Sequence, residues 1–221
     1  MKRTTYTSTT LLIILFLLFS TTSQATIIEI NYEGTATSVD APLAGTFSVG
    51  DDVTGRLRYD TTSTQSVILP SRAGYLGSIQ LFELTIGSYT GTATGGTTVY
   101  NDDVTFHDGV YFLGGTTTGA QVNGLDLSRL QLLLYATILS TLSDFELPSV
   151  GAIDSLWANN TADGNVNFMA FSNSKEVRYS LDSVTARIVD EHSVPEPSSI
   201  ALLGLGLAGL VYQRKRRIRN N

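Results

Sequence analysis

An alternation of apolar and polar residues is the feature that most constrains the fold of this chain. Every second residue is apolar within Ile28–Glu33, and the pattern recurs over Val53–Tyr59, just after the acidic turn Gly50-Asp51-Asp52. A period of two places the apolar residues on one face of a β-strand. We therefore predict strands at both places, with Phe47 and Val49 in a strand that the acidic turn joins to the second one as a hairpin.

Further apolar runs continue the same pattern. Asp108-Gly109 separates two of them, and Asp-Gly favours a tight turn because both positions tolerate positive φ. Segment 125–142 fits a strand and a helix; we favour a strand to about Tyr135, then a loop or one short helix before Pro148. Evenly spaced short strands with Gly and Asn at the turns predict an all-β fold for residues 26–189, a jelly-roll-like β-sandwich.

Composition limits the partners and chemistry of this domain. The chain has 221 residues and no cysteine, which excludes disulfides, thiolate metal sites and a cysteine nucleophile. Residues 26–193 carry 19 acidic and 7 basic residues, an excess of 12 negative charges. That excess excludes nucleic acid as a partner, because its phosphates would be repelled.

The N-terminus has the layout of an export signal. Lys2-Arg3 precedes the apolar run Leu11–Phe19, and Ser23-Gln24-Ala25 supplies the small residues of a cleavage site. This predicts a signal peptide over residues 1–25, cut between Ala25 and Thr26 after export by a Sec-type machinery. A retained N-terminal anchor is the alternative, disfavoured because the apolar run is short for a bilayer span.

The C-terminal end combines three features in a fixed order. Two prolines hold Val194, Pro195, Glu196 and Pro197 extended, and the apolar run Ile200–Tyr212 follows. A basic cluster then consists of Arg214, Lys215, Arg216, Arg217 and Arg219. About thirteen apolar residues form a helix of roughly 20 Å, which crosses a bilayer only with local thinning. The basic cluster keeps the end of the chain in the cytoplasm, so the domain before it faces outward.

These features resemble the PEP-CTERM sorting signal of Gram-negative bacteria. Pro195-Glu196-Pro197 matches its motif, Leu202–Leu210 its Leu/Gly-rich membrane segment and Arg214–Arg217 its basic end. The resemblance implies that an exosortase, a membrane-embedded cysteine peptidase, recognises and processes the chain. Residues 190–193 are then a linker and residues 194–219 the sorting signal, with a single transmembrane helix. An ordinary tail anchor is the alternative.

The resemblance also implies a destination. It predicts an exported, non-enzymatic surface or extracellular-matrix protein associated with exopolysaccharide or biofilm, anchored in the inner membrane before processing and at the cell surface or outside the cell afterwards. A carbohydrate-binding or adhesive module is the alternative, and a glycan-active enzyme is less favoured. Aromatic residues that would stack on sugars in such a module are Tyr59, Tyr75, Tyr89, Tyr100, Tyr111 and Trp157.

The residues give little support for catalysis or a cofactor. The only histidines are His107 and His192, and no G-x-S-x-G motif is present, so a serine triad is not predicted. Oxygen-rich loops offer candidate calcium ligands at Asp51, Asp52, Asp102, Asp103 and Asp163, but without the spacing of an EF-hand loop. We therefore predict no enzyme activity, no cofactor and no metal.

Overall fold

The computed structural model describes residues 26–103, 105, 107–136, 141–160 and 166–189. Within these residues the chain forms nine strands, one α-helix and two 3-10 turns. The strands are β1 (Ile27–Val39), β2 (Asp52–Asp60), β3 (Val67–Leu69), β4 (Arg72–Ile86), β5 (Tyr89–Asp103), β6 (His107–Thr118), β7 (Leu127–Ala136), β8 (Asn167–Phe171) and β9 (Lys175–Val189). The helix α1 spans Val150–Ala158, and the 3-10 turns span Ala41–Leu43 and Ser172–Ser174.

Eight of these strands form one closed barrel. Going round the wall, the order is β1, β2, β4, β5, β6, β7, β8 and β9, which returns to β1. Closure comes from the pairing of β2 with β4, which runs from Val53 opposite Ile86 to Tyr59 opposite Ile79 with one register shift, between Arg58 and Tyr59. The extra strand β3 continues along the same edge of β4 beyond the end of β2, with Val67 opposite Gly74.

The all-β prediction is confirmed, but the jelly-roll-like sandwich is wrong. A sandwich requires two separate sheets, whereas here a single sheet bends until its first and last strands meet. Register shifts mark bulges in β4, between Tyr75 and Ile79, and in β6, where Gly115 is the extra residue opposite Thr94 and Gly95. Bulges of this kind increase local twist and curvature, which long strands need for closure. Alternation alone is the same in a sandwich and a barrel, so it could not distinguish them.

The barrel interior is filled by large side chains. Tyr32 and Tyr179 stack with ring centroids 6.2 Å apart and planes inclined by 8°. The Tyr32 ring lies over Gly55, where a Cβ would overlap it. The Tyr179 hydroxyl donates to the Gln131 carbonyl at 2.7 Å, which satisfies a buried polar group.

Two segments close the barrel ends. At one end the side chains of Leu43 and Phe47, from the loop after β1, are buried in the barrel interior. The centroid of the Phe47 ring lies 5.3 Å from that of the Tyr89 ring. The predicted hairpin strand through Phe47 and Val49 is therefore wrong, although β2 has its predicted apolar face inward. At the other end α1 and the loop before it cover the interior, with Ile153 and Leu156 fully buried.

The helix follows the ambiguous segment of the sequence. β7 ends at Ala136, which confirms the predicted strand to about Tyr135. The helix begins only after Pro148, where the Ser149 hydroxyl accepts from the Ala152 N–H at 3.3 Å as an N-cap. Loop and barrel are tied together by the Tyr59 hydroxyl, which donates to the Pro148 carbonyl at 2.6 Å.

The predicted targeting segments lie outside the described residues. These are the signal peptide over 1–25, the linker over 190–193 and the sorting signal over 194–219 with its membrane helix. Among the residues that are described, no helix is long and apolar enough to cross a membrane.

Candidate functional site: a groove on the outer wall

A groove lies on the outer wall of the barrel where β3, β4, β5 and β6 run side by side. Its volume is about 390 Å³, in the range of small-ligand sites. Alternation along β4 explains its position, because Ala73 and Tyr75 point inward while Arg72 and Gly74 face out. The residues lining it are Ser66, Val67, Leu69, Arg72, Gly74, Tyr75, Leu76, Gly96, Thr97, Thr98, Tyr100, Tyr111 and Leu113.

The extra strand β3 gives the groove an apolar rim. The side chains of Val67, Leu69 and Leu76 are exposed, Leu76 to 78%. An exposed cluster of large apolar side chains beside a concave site is typical of a binding surface. The rim therefore makes the groove a candidate binding surface.

Two tyrosines supply its aromatic surface. Tyr100 is largely buried, whereas Tyr111 is half-buried. The Tyr111 hydroxyl donates to Gln131 Oε1 at 2.6 Å, and Gln131 Nε2 donates to the Val166 carbonyl at 2.6 Å. Burial raises the pKa of Tyr111, the nearby Arg129 guanidinium opposes the rise and Tyr100 adds to it. The ring of Tyr111 is thus held neutral in a fixed orientation.

Arg72 stands at one side of the groove as an exposed cation. Four of the six arginines in the described residues form salt bridges with glutamates, namely Arg56, Arg58, Arg178 and Arg187. Within the described part of the chain, Arg72 and Arg129 have no such partner. Arg72 is therefore available to an anionic ligand.

A second cluster lies on the outer wall at β1. The Glu29 carboxylate accepts from Arg58 Nε at 2.7 Å, Arg187 Nε at 2.9 Å and Asn31 Nδ2 at 3.2 Å, and its side chain is only 1% exposed. Burial would raise the pKa of Glu29, but hydrogen bonds from Arg58, Arg187 and Asn31 lower it to about 2. The carboxylate stays ionised near neutral pH and joins three neighbouring strands, so its geometry suits structural support and not general acid catalysis.

Asp108 is a buried carboxylate with a structural role. It accepts hydrogen bonds from the backbone N–H groups of Asp102, Thr141 and Leu142 at 2.7 to 2.9 Å. The predicted turn at Asp108-Gly109 is wrong, because both residues lie inside β6. Asp108 instead holds the segment that follows β7 against the β5–β6 connection.

The candidate calcium ligands are not brought together. Asp51 and Asp52 lie beside the β4–β5 turn, and Asp51 accepts from the Ser48 N–H at 2.8 Å. Asp102 and Asp103 lie at the far end of β5, where Asp103 accepts from the Thr105 N–H at 2.8 Å and the Ser71 hydroxyl at 2.6 Å. Asp163 is outside the described residues, among which no group of three or more His, Cys, Asp or Glu could hold a metal ion.

The predicted aromatic set is divided by the fold. Tyr59 and Tyr89 are buried in the barrel, and Trp157 packs against the core from α1. Tyr75 also points inward, with its hydroxyl donating to the Phe145 carbonyl at 2.5 Å. The groove contains Tyr100 and Tyr111 at its surface.

Arg72 and the apolar rim are functional candidates that were not predicted from the sequence. The available signal was the run Val67-Ile68-Leu69 directly before Pro70-Ser71-Arg72, a short apolar strand and turn with a cation behind it. Its exposure depends on β3 lying at an edge of the sheet, which only the topology shows.

Comparison with known proteins finds a match at the C-terminus of the chain. The model of the PEP-CTERM protein-sorting motif matches residues 193–217, which confirms the resemblance predicted above. The match includes Val194, Pro195, Glu196, Pro197 and Arg214–Arg217, whereas Arg219 lies beyond it. No curated protein and no solved structure is significantly similar to the chain. The chain therefore carries a PEP-CTERM sorting motif and is an exported protein targeted to an exosortase.

Proposed function

We propose that the barrel is the cargo of this sorting system and acts without catalysing a reaction, at the cell surface or in an extracellular matrix of exopolysaccharide or biofilm. The observation that carries the proposal is the PEP-CTERM motif over residues 193–217. In this account Val194 to Pro197 is recognised by the exosortase. The apolar segment anchors the unprocessed tail in the inner membrane, and the basic residues from Arg214 to Arg219 keep its end on the cytoplasmic side.

The barrel itself supports a role in binding or structure. Its interior is filled by stacked and packed rings such as Tyr32, Tyr179 and Phe112, and its buried carboxylates Glu29 and Asp108 are held by several donors each. A general acid or nucleophile needs a carboxyl group that can change its protonation or bonding state. These two carboxylates serve as fixed structural acceptors.

A carbohydrate-binding module is the second candidate function, and the outer-wall groove favours it. A half-buried tyrosine, aliphatic side chains and nearby hydroxyl groups form the mixed surface that a sugar ring requires, with one apolar and one polar side. Binding through this groove is compatible with a place in a polysaccharide matrix.

The location of the protein in cells of its source tests the first proposal. Cell envelope, matrix and culture medium are separated and probed for the barrel, with and without enzymatic digestion of the matrix polysaccharide. We expect the mature protein in the surface or matrix fraction, with release on digestion. Recovery of a full-length protein in the inner membrane alone would contradict the proposal.

A hydrolysis assay tests the remaining alternative, that the barrel is a glycan-active enzyme. The purified mature protein is incubated with the matrix polysaccharide, and new reducing ends are counted. We expect no turnover above the buffer blank. Sustained release of reducing ends that follows the protein through purification would establish a glycan-active enzyme and contradict the non-enzymatic role.

A further inference from the structure

Arg72 is a cation in a strongly acidic domain, and the described residues give it no acidic partner. The domain over residues 26–193 has 12 more acidic than basic residues, yet Arg72 forms no salt bridge with any residue that the structure describes. A guanidinium offers a planar pair of N–H donors that fits the two oxygens of a carboxylate. Charge complementarity at Arg72 itself therefore favours a carboxylate on the ligand, although the net negative charge of the whole domain repels polyanions, as it repels nucleic acid.

Tyr111 and Thr98 add a platform for a ring with hydroxyl groups. The two residues stand directly opposite each other on β6 and β5. Thr98 is half-buried, and its hydroxyl makes no hydrogen bond to a described residue. A fixed aromatic ring beside an available hydroxyl suits the apolar face and the hydroxyl edge of a pyranose.

The register places the cation and the platform at a distance that one short glycan segment can span. Arg72 lies opposite Tyr100, and Gly74 lies opposite Thr98, which in turn lies opposite Tyr111. The backbones of Gly74 and Tyr111 are thus about two strand spacings apart, and Arg72 lies two residues further along β4, so its backbone is roughly 12 Å from that of Tyr111. Because Gly74 and Gly96 have no side chains, they leave the floor of the groove between Arg72 and Tyr111 open to a ligand.

We propose that the outer-wall groove binds a polysaccharide segment carrying uronate carboxylates, with Arg72 as the ligand of one carboxylate and Tyr111 as the stacking surface for a sugar ring. The groove would then serve the carbohydrate-binding function proposed above, on which this assignment depends. The apolar rim of Val67, Leu69 and Leu76 contacts the C–H faces of the rings.

Binding of a defined pair of oligosaccharides tests the assignment. Isothermal titration of the mature protein uses a tetragalacturonate and its fully methyl-esterified form, which keeps the rings but removes the charges. We expect the acid form to bind and the ester to bind at least about tenfold more weakly. Arg72→Gln should remove that difference, and Tyr111→Ala should weaken both ligands.

Arg56→Gln is the matched control, since it removes one outer-wall arginine that pairs with Glu83 away from the groove. Folding of each variant is checked by circular dichroism. Equal loss of affinity in Arg56→Gln and Arg72→Gln would overturn the assignment by showing a general charge effect. Binding of both oligosaccharides that depends on Tyr111 but not on Arg72 would keep the carbohydrate function and overturn the uronate selectivity.

Two other results would overturn both the carbohydrate-binding function and the uronate selectivity of the groove. The first is the absence of binding by either oligosaccharide. The second is a dimer in analytical ultracentrifugation that Leu69→Ser with Leu76→Ser dissociates, because it would show that the groove is covered by a second copy of the chain.

Discussion

Arg58 Nε lies 2.7 Å from Glu29 Oε2, and the two residues face each other in the register of β2 and β1. Arg187 of β9 bonds the same carboxylate from its other side. One buried negative charge therefore joins the first strand of the barrel to two neighbours, and the last of these leads into the sorting signal. In the sequence Arg187 is 158 residues away from Glu29.

Replacement of Glu29 by Gln should lower the free energy of unfolding at neutral pH by about 2–3 kcal/mol. The reason is that Gln keeps the shape of the side chain but removes the negative charge to which the guanidinium groups of Arg58 and Arg187 donate hydrogen bonds. Urea unfolding at pH 7 measures the change. Glu83→Gln is the control, because its partner Arg56 and Glu83 itself are both well exposed, so about 0–1 kcal/mol is expected there.

The same carboxylate gives a pH dependence of known sign. Its pKa is lowered from 4.5 to about 2 in the fold, so its contribution to stability is complete above about pH 4.5 and is lost as the pH falls toward 2. The difference in unfolding free energy between the wild type and Glu29→Gln should shrink over that interval. A difference that stays constant from pH 5 to pH 2 would show that the ion pairs do not stabilise the barrel.

Gly55→Ala should destabilise the barrel by about 1–3 kcal/mol, because the new Cβ would overlap the buried Tyr32 ring. Thermal unfolding followed by circular dichroism measures this loss. Gly115→Ala is the matched control, since nothing lies within 4 Å of a Cβ at that position. If both variants melted at the same temperature, the placement of Tyr32 over Gly55 would be wrong.

Asp108→Asn should cost about 1–3 kcal/mol and increase hydrogen exchange at Thr141 and Leu142. Backbone N–H groups now donate to both oxygens of the carboxylate. In Asn an NH₂ group would replace one of these oxygens and could not accept from them. Exchange followed by mass spectrometry locates the effect. Asp154→Asn on the exposed side of α1 is the control and should leave exchange in this segment unchanged.

The sequence predicts the local features of this fold well and the long-range ones poorly. Apolar residues such as Leu57 and Tyr59 point inward as their alternation predicts, since each strand has one face toward the core. Glu29 also follows the alternation as an outward residue, yet it is buried, because Arg187 reaches it only when the barrel closes. Phe47 lies in a strand-like pattern but serves as a plug at the barrel end.

The candidate site, too, could be predicted from the sequence only in part. Tyr100 and Tyr111 were identified from their residue type, but Tyr59, Tyr75 and Tyr89 have the same type and lie inside the barrel. Tyr111 points outward because it lies between the inward residues Val110 and Phe112, whereas Tyr75 shares the inward face of its strand with Ala73. Arg72 is a candidate binding residue only because four strands together form the groove beside it, and no local sequence pattern shows that groove.

The mass of the mature protein tests the central claim most directly. Intact-mass and terminal-peptide analysis is carried out on protein from cells of its source, for the wild type and for a variant with Pro195, Glu196 and Pro197 replaced by Ala. Ser198→Ala with Ser199→Ala, next to the motif, is the control. We expect the wild type and the control to begin at Thr26 and to lack the basic tail from Arg214 to Arg219, and the alanine variant to retain that tail in the membrane. A wild-type mature protein that keeps the basic tail, or an alanine variant cut to the same mass, would contradict exosortase processing at this motif.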